Sequence, residues 1–372
     1  MRKTFTSAMA AGALLAGIAP AAVFGALPAG AAAGGRPFVG PLTHVSQVAS
    51  TIPANGDVNP YGTAIVPESH GNLTSGDVLV SNFNNSGNLQ GTGSTIVEVS
   101  PGGKQRLFAQ IPQNAVPGGV GLTTALVVLR SGWVIVGSLP TSDGKSDTMK
   151  PGELFVLDSG GHVRETITGH GIDGPWDATA LDSGGAADLF VSNVLNGITN
   201  GQPATTSNGD VVRLTLAVTG GMPRVVASKV IGSGLSVHTD PNALIVGPTG
   251  VALGPDGTLF VADSVNSRIA KIPDAVFRQD AVNAGAAAAT VSAGLPLNGP
   301  LGLTLAPDGD LLAVNGGDNN LVELTRNGAQ VATRDVDTAD PPGGALFGLA
   351  ASSSPRAVYF VNDDTNTLNV LH

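Results

Sequence analysis

Apolar and polar residues alternate along most of this chain, and the alternation is clearest between Gly247 and Ile272. Val251-Ala252-Leu253 and Thr258-Leu259-Phe260-Val261-Ala262 read as two strands of period two. Pro255-Asp256-Gly257 between them is a tight turn. Pro fixes φ, Asp bonds its own backbone, and Gly takes a positive φ. Arg268-Ile269-Ala270-Lys271-Ile272 reads as a third strand.

The same grammar recurs from Asn59, Gly121, Gly174, Gly299 and Ala345, which makes six units. One position fixes their register. The end of the second strand reads Asn82, Ser138, Asn193, Asp263, Asn315 and Asn362, at spacings of 56, 55, 70, 52 and 47 residues. A repeat of this length, with variable insertions, is the period of propeller blades. A single blade cannot bury both faces, whereas blades stacked around an axis can. The expected fold is therefore all-β: a six-bladed β-propeller of four-stranded antiparallel blades. The last unit supplies only three strands before His372. Gln47–Pro53 resembles Leu107–Pro112, which ends the first unit, so it is expected to close the last blade as an N-terminal strand.

Composition adds a compartment. Arg2 and Lys3, an apolar run from Ala8 to Ala19 and the small residues Ala29-Gly30-Ala31-Ala32-Ala33 have the layout of a secretory signal peptide. The expected organisation is a signal peptide over 1–33 and one propeller over 34–372, in a secreted or periplasmic location. No Cys is present, so disulfides, thiol chemistry and a Cys-linked lipid anchor are all excluded. The formal net charge is −10. Loss of Arg2 and Lys3 makes it −10 − 2 = −12. A sparse acidic surface argues against nucleic acid or anionic membrane as partner. No second stretch qualifies as a membrane span. The expected partner is a small molecule or an extracytoplasmic protein, bound by a monomer.

Pro248-Thr249-Gly250 through Ile269 resembles an NHL repeat, and the unit at Gly299 is similar. The chain resembles exported six-bladed NHL-type propellers and, more distantly, gluconolactonase-type propellers. That resemblance implies a fold. Relatives bind protein or RNA, or act as metal-dependent lactonases or as an amidating lyase.

The end of strand two lies beside the start of strand one, so the Asn/Asp positions and the Pro-x-Gly entrances share one face, the top. The middle residue of the entrance reads Tyr61, Trp176, Thr249, Leu301 and Phe347, with Thr124 in the second unit. Tyr61, Trp176 and Phe347 are expected either to form an aromatic lip for an apolar or sugar ligand, or to pack between blades. Asn82, Asn193, Asp263, Asn315 and Asn362 are candidate ligand contacts, with turn capping as the ordinary role of such residues. Long segments rich in Asn, Gly, Ser and Thr follow strand two in units one to three: Asn82–Ser94, Ser138–Gly152 and Asn193–Gly209. They are expected to raise a polar wall over half the top, or to be solvated insertions.

Catalytic signals are sparse. The chain has neither Gly-x-Ser-x-Gly nor His-Glu-x-x-His. Zinc through His170 and His238 lacks an identifiable third ligand. The lactonase resemblance implies Glu, two Asn and Asp around a divalent metal. The entrances here offer Asn59, Asp173, Asp177 and Asn298 but no Glu, and Asp177 stands where other units carry Gly. Calcium at these oxygens is the alternative to the expectation of no cofactor. Asp335-x-Asp337-x-x-Asp340 resembles half a calcium loop, without its Gly and distal Glu.

Overall fold

The computed structural model describes residues 36–219, 221–241, 243–338 and 343–372. The expected signal peptide over 1–33 and Asp340 lie outside them. Six sheets follow one another along the chain, antiparallel except where Val282–Asn283 pairs in parallel with the strand at Gly232, and each is wound from an inner strand to an outer one. Blade 1 holds the strands of 58–110, blade 2 those of 122–167 and blade 3 those of 175–240. Blade 4 holds 248–293, blade 5 holds 300–335, and blade 6 holds 346–371. Helix is confined, among the described residues, to three short 3-10 turns. No helix among them is long and apolar enough to cross a membrane.

Closure follows the expected route. Val45–Ser50 pairs antiparallel with Thr367–Leu371 as the fourth strand of blade 6, with Val45 opposite Leu371. The chain before it is also fastened. The buried Glu323 carboxylate of blade 5 accepts the N–H groups of Phe38 (2.6 Å) and Val39 (2.8 Å). Arg334 donates to the carbonyls of Gly40 and Leu42. Arg356 lies over the Phe38 ring, 4.8 Å from its centroid.

Blade 3 departs from the four-strand expectation. Its third strand begins at Thr205, within the segment expected to be a loop, and pairs there with His238. Its fourth strand, Arg224–Asp240, is the longest in the chain among the described elements. Leu244–Val246 and Val282–Asn283 add two further strands to that sheet. The β-branched pair Thr205-Thr206 suits an extended backbone, which local polarity alone does not reveal.

The core sits between blades. Five apolar clusters fill the gaps from blade 1 to blade 6. A sixth fills the gap between blades 6 and 1 and continues across the ring end of the channel. Hydroxyls stitch neighbouring inner strands together. Ser81 Oγ donates to the carbonyl of Thr123 and Ser192 Oγ to that of Thr249, each from one blade to the next.

Glycine at the end of Pro-x-Gly sets how closely the blades approach. A Cβ on Gly62, Gly250, Gly302 or Gly348 would run into the inner strand of the next blade, and at Gly348 it would meet the Tyr61 carbonyl. Gly348→Ala should therefore lower stability by about 3 kcal/mol, as overpacking against backbone does. Denaturant unfolding measures this directly.

Candidate functional site

Each position read from the repeat faces its entrance across a strand pair. Pro60 opposes Asn82, Leu122 opposes Ser138, Pro175 opposes Asn193, Pro248 opposes Asp263, Pro300 opposes Asn315, and Leu346 opposes Asn362. Blade 2 holds one extra residue before pairing resumes at Leu126, so Thr123 and Thr124 share its bulge.

Tyr61, Trp176 and Phe347 converge on the channel axis. Tyr61 stacks on Phe347 (4.0 Å, 22°) and on Phe83 (4.4 Å, 18°), and lies 6.0 Å from Trp176, tilted by 46°. All are buried, Phe347 being the most exposed of the three at 7%. Of the two expected arrangements, the three rings take the packed one and form a plug. Leu139, Met149, Val194, Leu195 and Ile198 pack around it, together with Leu244 and Ile245 of the blade 3 hairpin. The physical reason lies one residue beyond the Asn/Asp position, which reads Phe83, Leu139, Val194, Ser264, Gly316 and Asp363. Its three apolar members, on blades 1 to 3, fill the mouth from one side. That column was readable in the sequence and is the missed signal. Burial pushes the Tyr61 phenol well above its usual range, and nearby Asp363 pushes in the same direction.

The Asn/Asp positions are engaged within the scaffold. Asn82, Asn193 and Asn315 donate to the carbonyls of Thr51, Gly171 and Pro296, in the segments that lead into their own blades. Asn362 donates to Asp337 (2.7 Å), and Asp263 accepts from Arg268 Nε (2.7 Å). All five side chains are buried. Their polar atoms staple corners that would otherwise hold unpaired backbone carbonyls.

The residues offered for a metal take separate partners. Asn59, at a left-handed φ of 61°, donates its N–H to Asn366 Oδ1. The Asp173 N–H goes to Asn193 Oδ1, and Asn298 donates to Asp318. Asp177 follows Trp176 along its strand and lies below the plug, whereas the other three precede their entrances. Neither Asp173 nor Asp177 joins a cluster of three metal-ligating His, Asp or Glu side chains among the described residues. Neither His170 nor His238 joins a cluster of three metal-ligating groups among the described residues. His238 lies 3.7 Å from Asp240. Asp337 accepts from Asn319 and Asn362. Three carboxylates do approach within 4.8 Å of one another, those of Asp308, Asp310 and Glu323. Both Glu323 oxygens already hold backbone N–H groups there.

Two spaces remain. The first is the channel beneath the plug, about 460 Å³, running from Asp177, Thr63 and Thr124 down to Arg130 and Asp182 at the turn face. The second is a cleft of about 780 Å³ on the top, between the long loops of blades 1 and 2. Asn55, Asn85, Gln110, Gln113, Asn114 and Ser142 contribute to its lining. Those loops brace one another. Thr141 donates its N–H to the Gly91 carbonyl and its hydroxyl to that of Gln90. Ser146 Oγ donates to the Leu244 carbonyl, which links the blade 2 loop to the hairpin of blade 3. Hydrogen bonds thus tie the long loops of blades 1 and 2 to each other and the blade 2 loop to the blade 3 hairpin.

Burial raises the Glu153, Asp177, Asp210 and Asp363 carboxyls to about 7. At Asp177 the N–H groups of Val251 and Ala178 oppose the rise. Asp173 adds to it at Asp210, and Asp364 adds to it at Asp363. Between the ordinary carboxyl range and about 7 the folded state holds more protons than the unfolded chain. The contribution of these four acids is therefore fullest near pH 4 and is lost as pH rises through about 7. Chemical denaturation from pH 4 to 8 should show this decline, and Asp177→Asn should make it shallower.

A family model described as NHL repeat matches residues 246–272. No curated protein matches the sequence. Among solved structures, the fold is similar to a gluconolactonase of Xanthomonas campestris, at 13% identity over 88% of each chain with a TM-score of 0.54. It is similar to a putative gluconolactonase at 16% identity over 90% of this chain and 95% of that one, with a TM-score of 0.53. Regucalcin from Agrobacterium tumefaciens, a calcium-binding protein, gives 14% identity over 87% and 92%, with a TM-score of 0.50. At such identities the likeness speaks for architecture alone. This chain is a six-bladed β-propeller that carries an NHL repeat.

Proposed function

We propose that this chain is an exported, non-catalytic recognition propeller that holds an uncharged polar ligand in the top cleft between blades 1 and 2. The carrying observation is the cleft itself, lined largely by side-chain amides and hydroxyls on braced loops. Such groups both donate and accept, which suits hydroxyl-rich or amide-rich ligands. Its one carboxylate, Asp57, is occupied within the fold. Asp57 Oδ2 accepts from the Ser94 N–H, the Ser94 hydroxyl and the Thr95 hydroxyl. Rigid scaffolds carry recognition on loops of this kind. Export directed by residues 1–33 and action as a monomer belong to the same reading.

The fold shared with gluconolactonases favours a second reading, a metal-dependent hydrolase at the channel mouth. The plug across the channel mouth weighs against it.

The two readings part in one set of experiments. A panel of neutral oligosaccharides and uncharged peptides should yield a binder. Joint Asn55→Ala, Gln110→Ala and Asn114→Ala substitution should weaken it about 100-fold, with melting unchanged. Trp176→Ala should instead cost about 4 kcal/mol of stability, as loss of a buried aromatic does. Turnover of a lactone with added Ca²⁺ or Zn²⁺, lost in Asp173→Asn, would favour the hydrolase.

A further inference from the structure

Two of the six histidines meet where the ring closes. His44 and His372 extend the ladder of the closing strand pair one step beyond Val45 and Leu371. The His44 N–H donates to the His372 carbonyl at 3.0 Å, and the His372 N–H donates to the His44 carbonyl at 2.9 Å. Residues that exchange both bonds are directly opposed, and opposed residues place their side chains on one face of a sheet. The two imidazoles accordingly lie side by side, with centroids 6.1 Å apart and planes tilted by 40°. Both residues are exposed. Ser46, two residues after His44 and so on the same face, brings its Oγ to 2.9 Å from His372 Nε2.

The chemistry of the pair is distinct from that of the other histidines. His70, His162 and His238 each face a single carboxylate, of Glu68, Asp158 and Asp240. Among the described residues no Asp or Glu pairs with His44 or His372. Two imidazoles suit Cu²⁺, Ni²⁺ or Zn²⁺, whereas Ca²⁺ and Mg²⁺ require oxygen ligands. Metal–nitrogen bonds of about 2.0–2.1 Å would set the ring centroids about 5 Å apart, so rotation of two exposed side chains closes the distance. The two residues stand 372 − 44 = 328 positions apart in sequence. The unfolded chain seldom brings them together, whereas the folded ring holds them on one rung. An ion bound by both therefore favours the closed ring, as a clip across a long loop does. The chain has no Cys, so no disulfide performs that task.

We propose that His44 and His372 chelate one divalent transition-metal ion, Cu²⁺ most tightly, which latches the closing strand onto the last strand of the ring. The imidazoles are its two protein ligands, and water completes the coordination. The site shares no residue with the top cleft.

Titration calorimetry of the untagged protein with Ni²⁺, Cu²⁺ and Ca²⁺ tests it, together with denaturant unfolding at saturating Ni²⁺. One Ni²⁺ should bind per chain and raise the unfolding midpoint. Cu²⁺ should bind more tightly, and Ca²⁺ should neither bind nor stabilise. His44→Gln and His372→Gln should each weaken Ni²⁺ at least about 10-fold, because each leaves a single imidazole. Each should also abolish the midpoint shift, whereas His170→Gln should leave both readouts unchanged. Ni²⁺ binding that survives both variants, binding with no rise in the midpoint, an equal response to Ca²⁺, or no binding at all overturns the proposal.

Discussion

Neighbouring inner strands approach so closely that a hydrogen atom is all the gap admits at Gly62, Gly250, Gly302 and Gly348. Much else follows from that spacing. The hydroxyls of Ser81 and Ser192 can reach the next blade because the blades touch. The channel is narrow enough for Tyr61 to lie within stacking distance of Phe347 and beside Trp176, two blades away. Aromatic rings and aliphatic chains can then seal an opening that a wider ring would leave to water.

The repeat position carried most of what was legible. Asn82, Ser138, Asn193, Asp263, Asn315 and Asn362 fixed the blade count and the strand register, because each marks the same corner of the same sheet. The closing strand was legible from Gln47–Pro53, since a blade with three strands must find its fourth. The state of the aromatics was harder to read. Whether Tyr61, Trp176 and Phe347 face solvent or each other depends on the column beside them, Phe83, Leu139 and Val194. It depends also on Leu244 and Ile245 arriving from a distant hairpin. Periodicity reports which face of a strand a residue takes, and it says nothing of what another blade places opposite.

Buried charge is used sparingly, and mostly to hold backbone. Glu98 accepts the Thr74 N–H and pairs with Arg106, Arg213 donates to the carbonyls of Ala275 and Val276, and Glu323 accepts two N–H groups of the N-terminal segment. Each stands on the third strand of its blade and fastens a stretch of chain that has no strand partner of its own there. Asp177 differs, because it borders open space. The scaffold thus separates polar groups that finish the fold from those that could meet something else.

The strand at Val45–Ser50 has a mechanical consequence. It runs antiparallel to Thr367–Leu371, and Val45 and Leu371 are partners at the same end of the pair. Once the clasp of Phe38 and Val39 on Glu323 has given way, tension between the chain entering at Val45 and the chain leaving at Leu371 would load one backbone hydrogen bond at a time. The ring would unzip from blade 6 rather than shear, so a closure that serves well against heat would give little resistance to a pull.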